Sequence, residues 1–507
     1  MRSPNRLAAV GVKVVRDSVT AMADHPVLSS FQVALGVRVV VAISTGLLHE
    51  GVLIGDEGQY LLLASMASEG TLTSEFWAGY GQSLFESTRT FMWPLTTLFW
   101  LFGPSRIVAQ LLVATFGAVT SACAACLASR FLRREYALGA GLIVALLPSQ
   151  VLWSSVVLRE SLVWAGLAAM AVTVDYSQRS ESGRRTALST VLLGLLFVAT
   201  VWLRDHSALL ALWCLCPALL VGRSRLRIRI LAASCLLIFA PWVMGFGPGG
   251  SDYARAAMES MGNSRAYMAL SANSAFGVDQ SSGNSAFGVD QSSGNSSFGV
   301  DQSQSTSNST DSSISEGPSD ISEGLSDCSA LLEGQGRGSE EIGGVASRLI
   351  DRERGEWICI HDEFGIGRPV DNRLITSFQR IPGGLYETMI RPLPWGDGRS
   401  LIRVIAGWET PLWISLYGLA AYGLWVHGKG HRVLIYPTLL LFAISIAGAV
   451  THGNLGTAFR HRGQICFVLA VLAMAGVQAI VEGRRMKSRE RSLGTVSDDE
   501  YVDRDER

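Results

Sequence analysis

Charged residues are scarce in this chain. Only 17% of its 507 residues are Asp, Glu, Lys or Arg, and 48% are hydrophobic, whereas a typical soluble domain carries about 25% charged residues. That scarcity argues against a water-soluble protein, because too few charges remain to cover the surface of so long a chain. Mostly apolar windows of about 20 residues recur instead, and an α-helix needs that length to cross hydrocarbon. The composition therefore predicts an all-α polytopic membrane protein.

Two absences and the positions of the cysteines further restrict the class of protein. The sequence has no Gly-rich phosphate-binding loop of the Walker type, which argues against a nucleotide-driven pump. No clear small-residue cleavage site follows the first apolar run, which begins near Val27, so we expect a retained first span. Six of the eight cysteines lie in or beside apolar segments, where a thiol behaves as a small hydrophobic group. Cys328 and Cys359 lie in a polar segment and are candidates for a disulfide if that segment is extracytoplasmic.

About ten segments are predicted to span the membrane, and the connections between them differ sharply in basic residues. One set of connections, together with the termini, carries 21 Lys and Arg, whereas the alternate short connections carry Arg89, Arg159, Arg204, Arg460 and Arg462. Because Lys and Arg favour the cytoplasmic side, both termini of this multi-pass cell-membrane protein are predicted to be cytoplasmic. The predicted spans are about 27–48, 107–129, 137–152, 156–174, 186–203, 207–222, 230–247, 406–426, 433–450 and 464–481.

The spans divide the chain into an N-terminal membrane domain and three further parts. The N-terminal domain contains a first outer loop at 49–106, in which the apolar segment 91–103 is too short to span and contains Pro94. We expect that segment to form an interfacial or re-entrant helix. The four parts are 1–247, the large extracytoplasmic loop 248–405, the C-terminal membrane helices 406–481 and a cytoplasmic tail 482–507.

The large loop contains tandem repeats. The sequence NSAFGVDQSSG at 273–283 recurs letter for letter at 284–294, and a third copy begins at 295. Polar copies rich in Ser, Gly and Asn bury no core, so about 271–345 is predicted to be disordered. Residues 346–405 regain aromatic and apolar character and are predicted to fold against the membrane surface. The polar run 361–363 in this part contains metal-binding residue types but is typical of an ordinary loop, and no metal site is predicted.

Ionisable residues of the short outer connections lie at the ends of apolar spans. Burying an unpaired charge deeper in the bilayer costs roughly 2.5–3.5 kcal/mol, so each needs a partner or a polar cavity. We expect one shared cavity beneath the large loop, although each residue taken alone also fits a solvated helix end with a local partner. The residues are Asp56 and Glu57, Arg159 and Glu160, Arg204, Asp205 and His206, and Arg460, His461 and Arg462.

This set of residues suits transfer of a group to a hydroxyl from a lipid-linked phosphate donor. A carboxylate accepts the proton of the hydroxyl as a general base. Arginines hold the phosphate and stabilise the negative charge that grows on the leaving group, a role predicted for Arg159, Arg204, Arg460 and Arg462. Glu160, Asp205, His206 and His461 are predicted to be additional polar residues of the site.

The stretch GDEGQYLLLA after the first span resembles the Asp-Glu motif in the first outer loop of GT-C glycosyltransferases. It is especially similar to the family 39 group, which includes protein mannosyltransferases and looks similar to the aminoarabinose transferase of lipid A. The following block, from WPLTTLFWLFGPSR to VVLRESL, is similar to the group's second-to-fourth spans, and the resemblance covers roughly residues 30–175. The resemblance implies a GT-C-like fold, Asp56 as the catalytic base, Glu57 as its neighbour and Glu160 as a second acidic residue. It implies no cofactor; a divalent metal, used by some GT-C enzymes, is not predicted.

Three functions follow from these patterns. The first is a glycosyltransferase that moves a hexose or pentose from a polyprenyl-phosphate donor to a cell-envelope glycan, lipid or protein; its partners are that donor, membrane lipid and the acceptor, with no nucleic acid. The second is a surface-polysaccharide polymerase or ligase that uses polyprenyl-diphosphate glycans, for which Arg460 and Arg462 matter more than Asp56. The third is a transporter or flippase, which predicts charges near the bilayer midplane and broken spans in paired positions. The main candidate for such a charge, Arg38, is expected to snorkel towards the cytoplasm.

Overall fold

The structure of the protein is a computed structural model, which describes part of the chain. The described residues are 20–48, 55–71, 84–85, 88–221, 226–243, 357–361, 367–371, 381–394, 401–428, 430–451 and 455–502. The tandem repeats and the predicted disorder of 271–345 lie outside these residues. So do Cys328, and with it the possible disulfide, and most of the polar run 361–363.

Helices account for nearly all of the described chain. A helix overlaps each of the ten predicted spans, and a further helix is present at the predicted interfacial segment 91–103. The helices are α1 Pro26–Leu48, α2 Gly55–Glu69, α3 Arg89–Phe102, α4 Arg106–Ala128, α5 Arg134–Leu146, α6 Pro148–Trp153, α7 Glu160–Arg179, α8 Gly183–Val201, α9 Asp205–Leu220, α10 Leu226–Val243, α11 Ile381–Met389, α12 Leu401–His427, α13 Ile435–Thr451 and α14 Leu455–Val502.

Five stretches are long and apolar enough to cross a membrane. They are Pro26–Gly46, Arg106–Ala128, Gly183–Val201, Arg432–Val450 and Phe459–Met486. These stretches support a helical membrane protein, and the number of ten crossings stays a prediction. The described part also contains one antiparallel hairpin, formed by β1 Trp357–His361 and β2 Gly367–Asp371. Trp357 pairs with Asp371 and His361 with Gly367, so the large loop is not purely helical.

Helix α14 is the centre of the bundle. It packs against α4, α5, α7, α12 and α13, and its residues Ile465 to Ala473 are buried almost without a break. Its crossing with α12 is very close, because a Cβ atom on Gly423 of α12 would overlap the Leu472 carbonyl and one on Gly476 would overlap that of Leu419. Small residues on both helices allow such an approach, as is common for helices packed in membranes.

The segment between α5 and α6 is a broken helix. Pro148 has no N–H group to donate to the Val144 carbonyl, and the Ser149 N–H donates to Glu409 Oε2 at 2.9 Å instead of to Ala145. Arg38 satisfies both freed carbonyls: Nη2 donates to Val144 O at 3.1 Å and Nη1 to Ala145 O at 3.0 Å. Two ionisable side chains from separate helices therefore stabilise the break.

The prediction that Arg38 snorkels towards the cytoplasm is wrong. Its side chain is fully buried, and its Nε also donates to Ser154 Oγ at 2.6 Å. Carbonyl groups of the broken helix offer this guanidinium the hydrogen bonds that water would otherwise supply. Gly117 of α4 makes the room, because a Cβ atom there would lie 2.6 Å from Arg38 Nε.

Candidate functional site

Helix α2 begins at Gly55, so the two carboxylates of GDEG lie in its first turn. Negative charge is favourable there, because the first N–H groups of a helix carry partial positive charge. Successive residues of a helix point about 100° apart, and Asp56 and Glu57 therefore meet different neighbours. Tyr60 lies one turn beyond Asp56 and is buried against the ring of Phe91, with 5.1 Å between ring centroids.

Glu57 is fully buried and forms a two-point ion pair with Arg106, the first residue of α4. Arg106 Nε lies 3.0 Å from Oε1 and Nη2 lies 3.1 Å from Oε2. A planar guanidinium that matches a carboxylate in this way fixes orientation as well as distance. Glu57 therefore attaches α2 to α4, and its contacts are those of a residue that holds Asp56 in place.

Asp56 is the accessible carboxylate of the pair, with 55% of its side chain exposed. Its Oδ2 accepts a hydrogen bond from Arg460 Nη1 at 2.9 Å. Arg460 projects from α14, and its guanidinium lies over the indole of Trp153 with 5.4 Å to the ring centroid. One face of Arg460 is thus fixed by an aromatic ring and one edge by Asp56.

A second ion pair lies beside the first. Glu160, the first residue of α7, accepts a hydrogen bond from Arg204 Nη2 at 3.1 Å, and both side chains are largely buried. Burial lowers the pKa of the Arg204 guanidinium, and the facing Glu160 carboxylate opposes that shift. A buried pair of this kind keeps both groups charged at the start of two helices, α7 and α9.

Arg159 differs from the other arginines of this region, because it forms no ion pair with a carboxylate among the described residues. It lies within electrostatic reach of Tyr60, Glu160, Asp56 and Asp205. Burial raises the pKa of the Tyr60 phenol above its ordinary value, so Tyr60 is neutral at pH 7. We call Asp56, Tyr60, Arg159, Glu160, Arg204 and Arg460 the charged cluster.

Arg462 is not brought to the charged cluster. Two residues along a helix correspond to about 200° of rotation, so Arg462 points away from Arg460. Its Nε donates to Thr388 O at 2.9 Å and its Nη2 to the carbonyl of Arg391, just beyond α11. The guanidinium also lies 5.4 Å from the ring centroid of Trp413. These contacts hold the end of α11 against α12 and α14.

The remaining predicted site residues lie at the edge of the cluster or apart from it. Asp205 and His206 are exposed, and the Asp205 carboxylate accepts the His206 backbone N–H at 2.7 Å. His461 is half-buried beside Thr388, Met389 and Arg462. Among the described residues no group of three or more His, Cys, Asp and Glu side chains has the spacing of a metal site.

One cavity lies apart from the charged cluster. It has a volume of about 630 Å³ and is lined by residues that include Asp24, His25, Phe31 and Arg134, near the start of α1 and the connection from α4 to α5. None of the charged cluster lines it. The cavity therefore offers no support to the chemistry of the cluster.

Several residues of the site are not recognisable from sequence patterns. Arg106 carries one usable signal, since it ends the predicted outer loop 49–106 at the start of a span, where an arginine needs a carboxylate partner. Tyr60 and Trp153 carry none, because aromatic residues inside apolar segments are typical of ordinary core packing. No family model matches this chain, and no curated protein is similar enough to it to be matched.

Proposed function

We propose that this protein is a GT-C-like membrane glycosyltransferase that moves a sugar from a polyprenyl-phosphate donor to an acceptor hydroxyl outside the cytoplasm. The charged cluster is the observation that carries the proposal. Within it, three guanidinium groups face two carboxylates, and one of those carboxylates, Asp56, is accessible to solvent. A surplus of positive charge beside an accessible base suits an anionic donor and a hydroxyl acceptor.

Ten membrane crossings would place the charged cluster on the extracytoplasmic side, with both termini in the cytoplasm. Support comes from the helices that overlap all ten predicted segments and from the basic residues in the alternate connections. The residues of the cluster come from α2, α14 and the starts of α7 and α9, which are all at connections predicted to lie outside. A polyprenyl chain in the bilayer reaches such a site without leaving hydrocarbon.

The proposed reaction uses Asp56 as general base. Its carboxylate takes the proton of the acceptor hydroxyl as the hydroxyl oxygen bonds to the anomeric carbon of the sugar. The bond from that carbon to the phosphate oxygen breaks, and polyprenyl phosphate leaves with the electron pair. Negative charge on the phosphate grows during this step, and Arg159 stabilises it, because the two carboxylates of the cluster form their ion pairs with Arg204 and Arg460 instead.

Replacing Asp56→Asn tests the proposal. The amide keeps the size of the side chain but has no proton affinity, so transfer should fall by about 10²–10⁴-fold. The measurement is transfer of labelled sugar from a polyprenyl-phosphate donor in membranes that contain the full-length chain. Glu69→Gln is the matched control, since Glu69 is an exposed carboxylate of the same helix whose hydrogen-bond partner is Ser65. Near-normal transfer in Asp56→Asn would contradict the role of Asp56.

A transporter is the second candidate, and one observation favours it: α5 and α6 are a broken helix flanked by the buried Arg38 and Glu409. Transport folds usually pair such a break with a second one. All three guanidinium nitrogens of Arg38 are engaged with protein oxygens, which suits a structural role. Movement of a solute across the membrane that depends on polyprenyl phosphate, without transfer of a sugar, would favour the transporter.

The polymerase alternative rests on Arg460 and Arg462 acting together, and these two side chains face different neighbours.

A further inference from the structure

Two buried tryptophans beside the charged cluster leave their N–H groups without a protein acceptor. Trp153 of α6 is 2% exposed and Trp164 of α7 is 1% exposed, yet neither Nε1 forms a hydrogen bond to protein. A buried indole N–H normally finds a partner. Trp413, which is equally buried, follows that rule, since its Nε1 donates to Glu409 at 3.0 Å. The exception at Trp153 and Trp164 therefore needs an explanation.

The two indoles meet α14 at positions three residues apart. Arg460 lies over Trp153, and Gly463, less than one turn further, lies against Trp164. A Cβ atom on Gly463 would overlap the Trp164 ring and come within 2.8 Å of Gln150 Nε2. Gln150 is 1% exposed, and its Oε1 likewise has no donor. Glycine at 463 thus allows Trp164 and Gln150 to approach α14 next to Arg460.

Several buried polar atoms without a hydrogen bond lie around Trp153, Trp164 and the charged cluster. Sixteen buried side-chain polar atoms lack a protein hydrogen bond in the described part of the chain. Six of them belong to the charged cluster and its neighbours, and they include both donors and acceptors. The donors are Trp153 Nε1, Trp164 Nε1, Arg204 Nη1 and Arg460 Nε, and the acceptors are Gln150 Oε1 and Glu160 Oε2.

This mixture of atoms restricts the chemistry of a ligand. A phosphate only accepts hydrogen bonds and would leave Gln150 and Glu160 unpaired, while an apolar chain would leave all six atoms unpaired. The hydroxyl groups of a sugar both donate and accept, and a sugar ring packs well on aromatic faces. We propose that Gln150, Trp153 and Trp164 form the subsite for the sugar of the donor, next to the arginines of the charged cluster. This subsite rests on the proposed glycosyltransferase function.

A pair of probes tests the subsite in the full-length protein. The probes are citronellyl phosphate, a short water-soluble polyprenyl phosphate, and the same compound carrying glucose, mannose, galactose, N-acetylglucosamine or arabinose. Dissociation constants are measured by calorimetry in detergent micelles. We expect at least one sugar-bearing probe to bind more tightly than the sugar-free probe, because only the former reaches the indole and amide groups.

Trp153→Phe and Trp164→Phe remove the N–H groups and keep aromatic rings. Each should reduce the advantage of the sugar-bearing probe by about threefold to tenfold, which is the effect of one neutral hydrogen bond, and leave binding of citronellyl phosphate unchanged. Both variants lose indole volume at a buried position, so each should lower the melting temperature, but by less than Trp413→Phe, which loses the same volume and a hydrogen bond as well. Trp413→Phe is the matched control: it breaks the bond to Glu409, so it should lower the melting temperature and leave the sugar advantage intact.

The outcomes separate this inference from the proposed function. Equal binding of all probes to the wild-type protein would overturn the sugar subsite and leave a phosphate-lipid site in place. Binding of none of the probes would overturn both proposals. A loss of melting temperature in Trp153→Phe and Trp164→Phe as large as that in Trp413→Phe would mean that ordered water satisfies the indoles, and it would also overturn the subsite.

Discussion

The broken helix and the charged cluster both bury arginine and glutamate side chains, but they differ in how completely those side chains are hydrogen-bonded. At the break, Arg38 engages oxygens with all three of its nitrogens, and Glu409 accepts bonds from Ser149 and Trp413. In the cluster, Arg204 Nη1 and Glu160 Oε2 have no protein partner. A completed network serves the fold, whereas an incomplete one in a buried site is available to a ligand.

The largest expected effect on stability comes from the completed network. Arg38→Met fills similar space but leaves the carbonyls of Val144 and Ala145 buried without donors, so the free energy of unfolding should fall by about 3–5 kcal/mol. Unfolding of the purified protein in detergent or bicelles measures this loss. Arg134→Met is the control, because Arg134 is 70% exposed and its ion pair with Asp24 is of the weak surface kind. Equal stability of the two variants would mean that the break does not depend on Arg38.

Two arginines repeat the comparison between a side chain bonded within the protein and one that is available to a ligand: Arg462 is bonded to backbone carbonyls, and Arg159 forms no ion pair with a described carboxylate. Arg462→Met removes two hydrogen bonds to backbone carbonyls and should lower the free energy of unfolding by about 2–3 kcal/mol. Arg159→Met removes no ion pair with the described carboxylates, so its stability should change by less than about 1 kcal/mol. Binding of citronellyl phosphate should respond in the opposite order and weaken mainly in Arg159→Met. Weaker phosphate binding in a stably folded Arg462→Met protein would favour the polymerase alternative.

The smallest effect concerns the space around Arg38. A Cβ atom on Gly117 would lie 2.6 Å from Arg38 Nε and 2.7 Å from Ser154 Cβ, so Gly117→Ala should cost about 1–3 kcal/mol by overpacking. Gly36→Ala is the matched control in α1, because no atom lies within 4 Å of a Cβ built there. Gly36→Ala should be neutral or stabilising by up to about 1 kcal/mol, since alanine favours a helix. A thermal melt of both variants measures the difference.

Much of the helical architecture is predictable from the sequence, because the apolar windows have the length of helices and their boundaries carry polar residues. The helix at 91–103 is also recognisable, although Pro94 lies in its second turn, where the missing N–H leaves the Thr90 carbonyl without its helical donor. The hairpin of β1 and β2 is not, since its two strands of five residues each have no strong alternation. The break at Pro148 is visible in the sequence as a proline, but its two ionisable partners are not.

The candidate site is predictable only as a set of residue types. Asp56, Arg159, Glu160, Arg204 and Arg460 are recognisable because charges at the ends of apolar spans are costly unless they are shared. Arg462 satisfies the same criterion and lies among backbone carbonyls instead, because the direction of a side chain depends on helix rotation that no pattern of charges specifies. No sequence pattern distinguishes Trp153 and Trp164 from other core tryptophans, because what distinguishes them is a buried N–H group without a hydrogen bond.

The sequence by itself determined the class of this protein: long apolar helices, few charges, and the ionisable residues confined to particular connections. Those properties depend on composition and spacing. They predict spans because the free energy of transfer into hydrocarbon depends on the residues of a segment and on its length. Only the tertiary structure decided the pairing of the charges. Asp56 and Arg460 are 404 residues apart in sequence and 2.9 Å apart in space, while the adjacent Glu57 pairs with Arg106. Such pairs depend on where the starts of α2 and α4 meet and on the rotation of α14, and neither is a property of any local stretch of the chain.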